Sequence, residues 1–103
     1  MYIVIRTIEV ADGANVAEAV QAAAGMTEYL KTRQNLDARL AINVGGYLHH
    51  IHWIVMTDSL DAGPARDAER AADPEWQGLV AAAIEAGLFK PGSIRDKILQ
   101  VVA

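Results

Sequence analysis

Apolar residues recur along this chain with two different periods, and each change of period marks an element. Residues 2–9 (YIVIRTIE) are a short run rich in β-branched side chains, which predicts a strand. From Ala14 to Lys31 the chain is alanine-rich, with Val16, Val20, Ala23, Thr27 and Leu30 at helical spacing. Asn15 followed three residues later by Glu18 resembles a capping box at the start of that helix. Leu36 to Val44 (LDARLAINV) alternates apolar and polar residues, Gly45-Gly46 has the composition of a two-residue turn, and Leu48 to Thr57 returns as a third strand. Ser59 to Ala72 is compatible with a helix. Asp73-Pro74-Glu75 then puts a capping acid before a proline at the first helical position, so a second helix is predicted from Pro74 to about Ala86. Gly87 suits its C-terminus, Pro91-Gly92 suits a turn, and Ile94 to Val102 closes the chain as a fourth strand. The order βαββαβ predicts an α+β, ferredoxin-like fold: one domain over residues 1–103, with a four-stranded antiparallel sheet and both helices on one face.

A two-residue turn at Gly45-Gly46 would pair Val44 with Tyr47, Ile42 with His49, Ala41 with His50, Leu40 with Ile51, Arg39 with His52 and Ala38 with Trp53. Leu36, Ala38, Leu40, Ile42, Ile51, Trp53 and Val55 then share the face that the helices cover, joined by Ile3 and Ile5. The other face receives Asp37, Arg39, Asn43, His50 and His52 among Leu48, Ile54 and Met56, with Val4 and Arg6 from the first strand. Its apolar members would form an exposed patch of the kind that marks an interface. Two such sheets packed face to face in a symmetric homodimer would cover that patch and leave the polar residues lining a cavity.

Composition narrows the partners. Hydrophobic residues are 52% of the 103 and charged ones 21%, which places the chain among globular domains. A domain of this size buries only roughly 60 to 68% of the surface its unfolded chain exposes, so apolar surface can be left over for a second copy. A net charge of −4 without a Lys/Arg cluster argues against nucleic acid as a ligand. The lack of cysteine removes disulfides and thiolate chemistry and suits a reducing compartment. No apolar run approaches the ~20 residues of a bilayer crossing, and the first strand leaves no room for a signal peptide, so the expectation is a cytoplasmic protein without a membrane partner.

All three histidines fall in His49-His50-Ile51-His52, and His50 and His52 project the same way from their strand. Paired imidazoles can be half of a metal site, but the nearest same-face carboxylate is Asp37, and Arg39 and Arg6 would oppose a cation. No metal is expected. As general bases they fit better, because a nearby arginine favours the neutral, proton-accepting imidazole. His52 and His50 are therefore the candidate catalytic residues. Arg6, Arg39, Asn43, Met56 and Ile54 are the candidate substrate-binding residues, with the arginines able to hold a carboxylate or an enolate. The same Arg, His and Asp residues could equally form a hydrogen-bond network inside an interface, with no substrate at all. Trp53 and Trp76 read as core. Phosphate-loop, dinucleotide, zinc-protease and nucleophile-elbow patterns are absent, and no cofactor is expected.

The third strand running into Asp58-Ser59-Leu60, the downstream Arg66, and Ala72-Asp73-Pro74-Glu75-Trp76 at the helix start give the chain a resemblance to the dimeric α+β barrel superfamily, and within it to the NIPSNAP branch. Val55 and Thr57 stand where that branch commonly has aromatics. The resemblance implies dimerisation through the open sheet face and a ligand cleft within the dimer. The superfamily includes cofactor-free oxygenases, isomerases and cyclases, whereas the NIPSNAP branch implies no particular reaction. Two readings follow. One is a homodimeric binder of a small aromatic or carboxylate-bearing molecule, with cofactor-free chemistry in the cleft. The other is a non-catalytic module of the same fold that uses the face only to dimerise or to hold a partner chain.

Overall fold

A computed structural model describes all 103 residues. The strands are β1 (Tyr2–Glu9), β2 (Asp37–Ile42), β3 (His50–Thr57) and β4 (Arg95–Gln100), and the helices are α1 (Val16–Thr32), α2 (Gly63–Ala72) and α3 (Pro74–Glu85). The sheet is antiparallel in the order β2-β3-β1-β4, the ferredoxin-like arrangement that the element order predicts. Between β3 and α3 the chain forms α2 as a separate helix. Asp73 ends it with an extended backbone and caps α3 by accepting a hydrogen bond from the Glu75 amide at 2.9 Å. Pro74 forces this break, since a proline disfavours the helical conformation in the residue before it. Asn15 caps α1 by accepting from the Glu18 amide at 3.1 Å.

The core lies between the sheet and α1. Ile8, Val10, Ala19, Ala23, Ile51 and Leu88 form one buried cluster, and Tyr29, Leu30 and Ala38 a second. Trp53 joins the two and donates its indole N–H to the Ala23 carbonyl at 3.2 Å. None of the buried residues lies on the opposite face of the sheet. No helix is long and apolar enough to cross a membrane.

Two expectations about strand phase are corrected. The β2–β3 register pairs Leu40 with Trp53, Ala41 with His52 and Ile42 with Ile51, displaced by two residues from the pairing a two-residue turn would impose. The turn is instead a loop over residues 43–49, in which Gly46 takes φ 71° and the Asn43 side-chain amide donates to the Tyr47 carbonyl at 2.6 Å, closing the base. A shift of two preserves side-chain parity, so β2 and β3 present the expected faces. For β1 the phase is the reverse of the one expected. Thr7 pairs with His52, Glu9 with His50, Ile5 with Ile54 and Ile3 with Met56, so these residues share the open face. Val4, Arg6 and Ile8 face the helix side. With apolar residues at both parities of YIVIRTIE, only the pairing to β3 decides which set is covered.

Candidate functional site

The open face of the sheet has three zones. Its centre is apolar, with Ile3 and Ile5 of β1 directly opposite Met56 and Ile54 of β3, all four half-buried. The outer strands add charge: Asp37 and Arg39 from β2, 3.7 Å apart, and Lys97 and Arg95 from β4 opposite Ile5 and Thr7. At the hairpin end lie the imidazoles, partnered by the candidate Asn43 and by Thr7 and Glu9, which were not among the candidates.

His52 is enclosed by hydrogen bonds at both ring nitrogens. Its Nδ1 is 2.7 Å from the Thr7 hydroxyl and its Nε2 is 2.6 Å from Asn43 Oδ1. Because the Asn43 amide nitrogen is donating to Tyr47, Asn43 Oδ1 must accept, which puts the proton on His52 Nε2 and leaves Nδ1 to accept from Thr7. Burial, and then the charge of His50, push its pKa below the ordinary value of 6.5. The arginines supply none of that shift, contrary to expectation. His50 places Nε2 3.1 Å from Glu9 Oε1, and its ring stacks on Tyr47 with centroids 5.3 Å apart and planes 10° from parallel. Glu9 also holds the Lys90 ammonium at 3.5 Å. The hydrogen bond from His50, followed by the charge of Lys90, keeps its carboxyl below the ordinary range against the opposing effect of burial.

Of the candidates, the structure gathers His50, His52 and Asn43 into one cluster, with Ile54 and Met56 adjoining it along β3. Arg39 shares the face but stands opposite Ile54, one pair removed from His52, and pairs with Asp37. Arg6 is not there. It points to the helix side and forms a two-point ion pair with Asp96 of β4 at 2.8 and 2.9 Å. That bond is the main reason the Asp96 carboxyl is held below its usual range. Thr7 and Glu9, absent from the sequence-based set, follow from the same reversal of β1. Trp76, read as core, is half-buried and packs against the second cluster, tilted against Tyr29 with centroids 5.1 Å apart and carrying the Arg70 guanidinium 5.5 Å above its ring. The Tyr29 hydroxyl donates to Asp73 at 2.6 Å, which with burial pushes its pKa up to about 12. This second polar cluster joins α1 to the start of α3.

The architecture recurs in solved structures. An uncharacterised NIPSNAP domain protein from Burkholderia xenovorans aligns over 100% of this chain and 96% of its own, with a TM-score of 0.77 at 19% identity. A NIPSNAP family protein of unknown function from Agrobacterium tumefaciens matches 96% of this chain and 86% of its own, with a TM-score of 0.74 at 25% identity. A dimeric protein of unknown function and ferredoxin-like fold from Bacteroides fragilis matches 97% and 95%, with a TM-score of 0.63 at 15% identity. No family model matches the sequence, and no curated protein does. The chain is thus an α+β protein of the ferredoxin-like class. Within that class its fold is NIPSNAP-like.

Proposed function

We propose that this protein is a homodimeric small-molecule binder in which two open sheet faces pack together and the imidazole end of each lines a cleft between them. The observation that carries the reading is the zoning of the open face. An apolar centre of Ile3, Ile5, Ile54 and Met56, bordered by charged outer strands, has the layout of an interface core with a polar rim. The dimeric description of the Bacteroides fragilis neighbour supports the same assembly. At the polar end, the Tyr47–His50 stack offers a flat platform, and Arg39 and Lys90 offer positive charge for a carboxylate or a phenolate. Asn43, Ile54 and Met56 remain the proposed lining, with His50 and His52 as the groups able to move a proton. Cofactor-free proton transfer is the chemistry this set suits. Residence in the cytoplasm remains part of the proposal, and the lack of cysteine is compatible with it.

A second reading is favoured by the closed network around His52. With both nitrogens engaged, that ring is occupied as a structural connector would be, and the face could serve assembly alone. Thermal denaturation against aromatic carboxylates and phenols separates the two. Ligand binding is expected to raise Tm in a concentration-dependent way in the wild type and to lose that effect in Arg39→Ala or Tyr47→Ala. A flat response over the whole panel supports the assembly-only reading.

A further inference from the structure

The two same-face imidazoles are not equivalent, and the difference lies in which nitrogens are spoken for. His52 donates from Nε2 to Asn43 and accepts at Nδ1 from Thr7, so a substrate would have to displace one of two short hydrogen bonds to reach it. His50 has one partner among its neighbours' polar groups, Glu9 at Nε2, and its side chain is 25% exposed. A carboxylate can only accept, so the neutral ring carries its proton on Nε2 and leaves the Nδ1 lone pair free. Glu9 is in turn fixed from three sides. Lys90 pairs with its carboxylate at 3.5 Å, its backbone amide donates to the Ser93 hydroxyl at 3.1 Å, and its carbonyl accepts from the Lys90 amide at 2.9 Å. A base held in one tautomer by an anchored third group is the arrangement that proton-transfer sites require.

We propose that His50 Nδ1 is the proton-accepting atom of this face, oriented by Glu9 as a positioning residue, and that its substrates are carbon acids or phenols with a delocalised conjugate base. The proposal deepens the reading of this face as a binding cleft and rests on it for the ligand. In the step, the substrate's H–C or H–O bond breaks and its electron pair stays on the substrate. A new N–H bond forms at Nδ1, and the imidazolium's Nε2–H is held by the Glu9 carboxylate. Return of the proton to another atom of the same anion completes an isomerisation, with no oxidant or further reactant. His52, by contrast, holds β1, β3 and the hairpin loop together.

Diethyl pyrocarbonate, which acylates a free imidazole nitrogen, tests the assignment without a known substrate. With labelling read residue by residue in peptide mass spectra and exposed His49 as reference, His50 is expected to be modified well ahead of His52. Long-range proton–nitrogen NMR spectra are expected to show His50 protonated at Nε2. In Glu9→Leu, that preference is expected to fall toward a mixture of the two tautomers, with the fold retained by circular dichroism, and an unchanged Nε2 preference would remove Glu9 as the positioning residue. Modification of His52 ahead of His50, modification of neither, or a His50 proton on Nδ1 would overturn the assignment. Sedimentation is read separately: a single protomer with the expected labelling removes the inter-sheet cleft and leaves the base in place.

Discussion

At the scale of single residues, hydrogen-bond inventory separates side chains that the sequence presents as equals. His52 connects Thr7 of β1 to Asn43 in the hairpin loop, so His52→Ala leaves two polar groups without their partner. A loss of about 1–3 kcal/mol is expected in denaturant unfolding. The pH dependence carries a definite sign. With its folded pKa below the ordinary 6.5, His52 binds fewer protons folded than unfolded, so stability is retained above pH 6.5 and falls as pH drops toward the folded value. The depressed carboxyls of Glu9, Asp73 and Asp96 act around and below their ordinary values of 4.5 and 3.8, at the acid edge of this window, and are common to the wild type and His52→Ala. The wild-type stability curve should therefore drop more steeply than that of His52→Ala between pH 6.5 and 5, as measured by chemical denaturation across pH. Parallel curves would remove the histidine from the pH response.

At the scale of elements, glycine changes in and beyond the helices have opposite expected signs. Gly25 lies inside α1, and a methyl group there would meet only Leu79 Cδ2 at 3.6 Å, an ordinary contact. Gly25→Ala should therefore stabilise by about 0.5–1 kcal/mol through helix propensity. Gly87 follows α3 at φ 63°, so Gly87→Ala should cost about 1 kcal/mol or more despite open space around it. Denaturant midpoints check both. These elements were legible because their signals are local: a capping asparagine, an Asp-Pro pair and a glycine at a helix end. The strand faces were legible only in part. β2 and β3 alternate, so their phase survived a register error of two residues, whereas β1 is apolar at both parities. What settles β1 is its pairing with β3, a contact between residues some fifty positions apart. Arg6 was misplaced for that reason, and Thr7 and Glu9 went unnoticed for the same one.

At the scale of the whole molecule, the sheet has one face under helices and one with no buried residue. The expectation of a second copy rests on Val4, Leu48, Ile54 and Met56; of these Ile54 and Met56 stand on the second face, where Ile5 opposite Ile54 and Ile3 opposite Met56 take the place of Val4 in a half-buried apolar centre. Ile54→Glu is the substitution suited to probing it. Ile54 stands opposite Arg39, so the new carboxylate gains a neighbouring cation in the single protomer and would be buried unfavourably between two sheets. Sedimentation equilibrium of the wild type and Ile54→Glu at equal concentrations therefore measures whether this face is covered. The account requires a dimeric wild type and a folded, monomeric variant, and a monomeric wild type, or a variant that still dimerises, would contradict it.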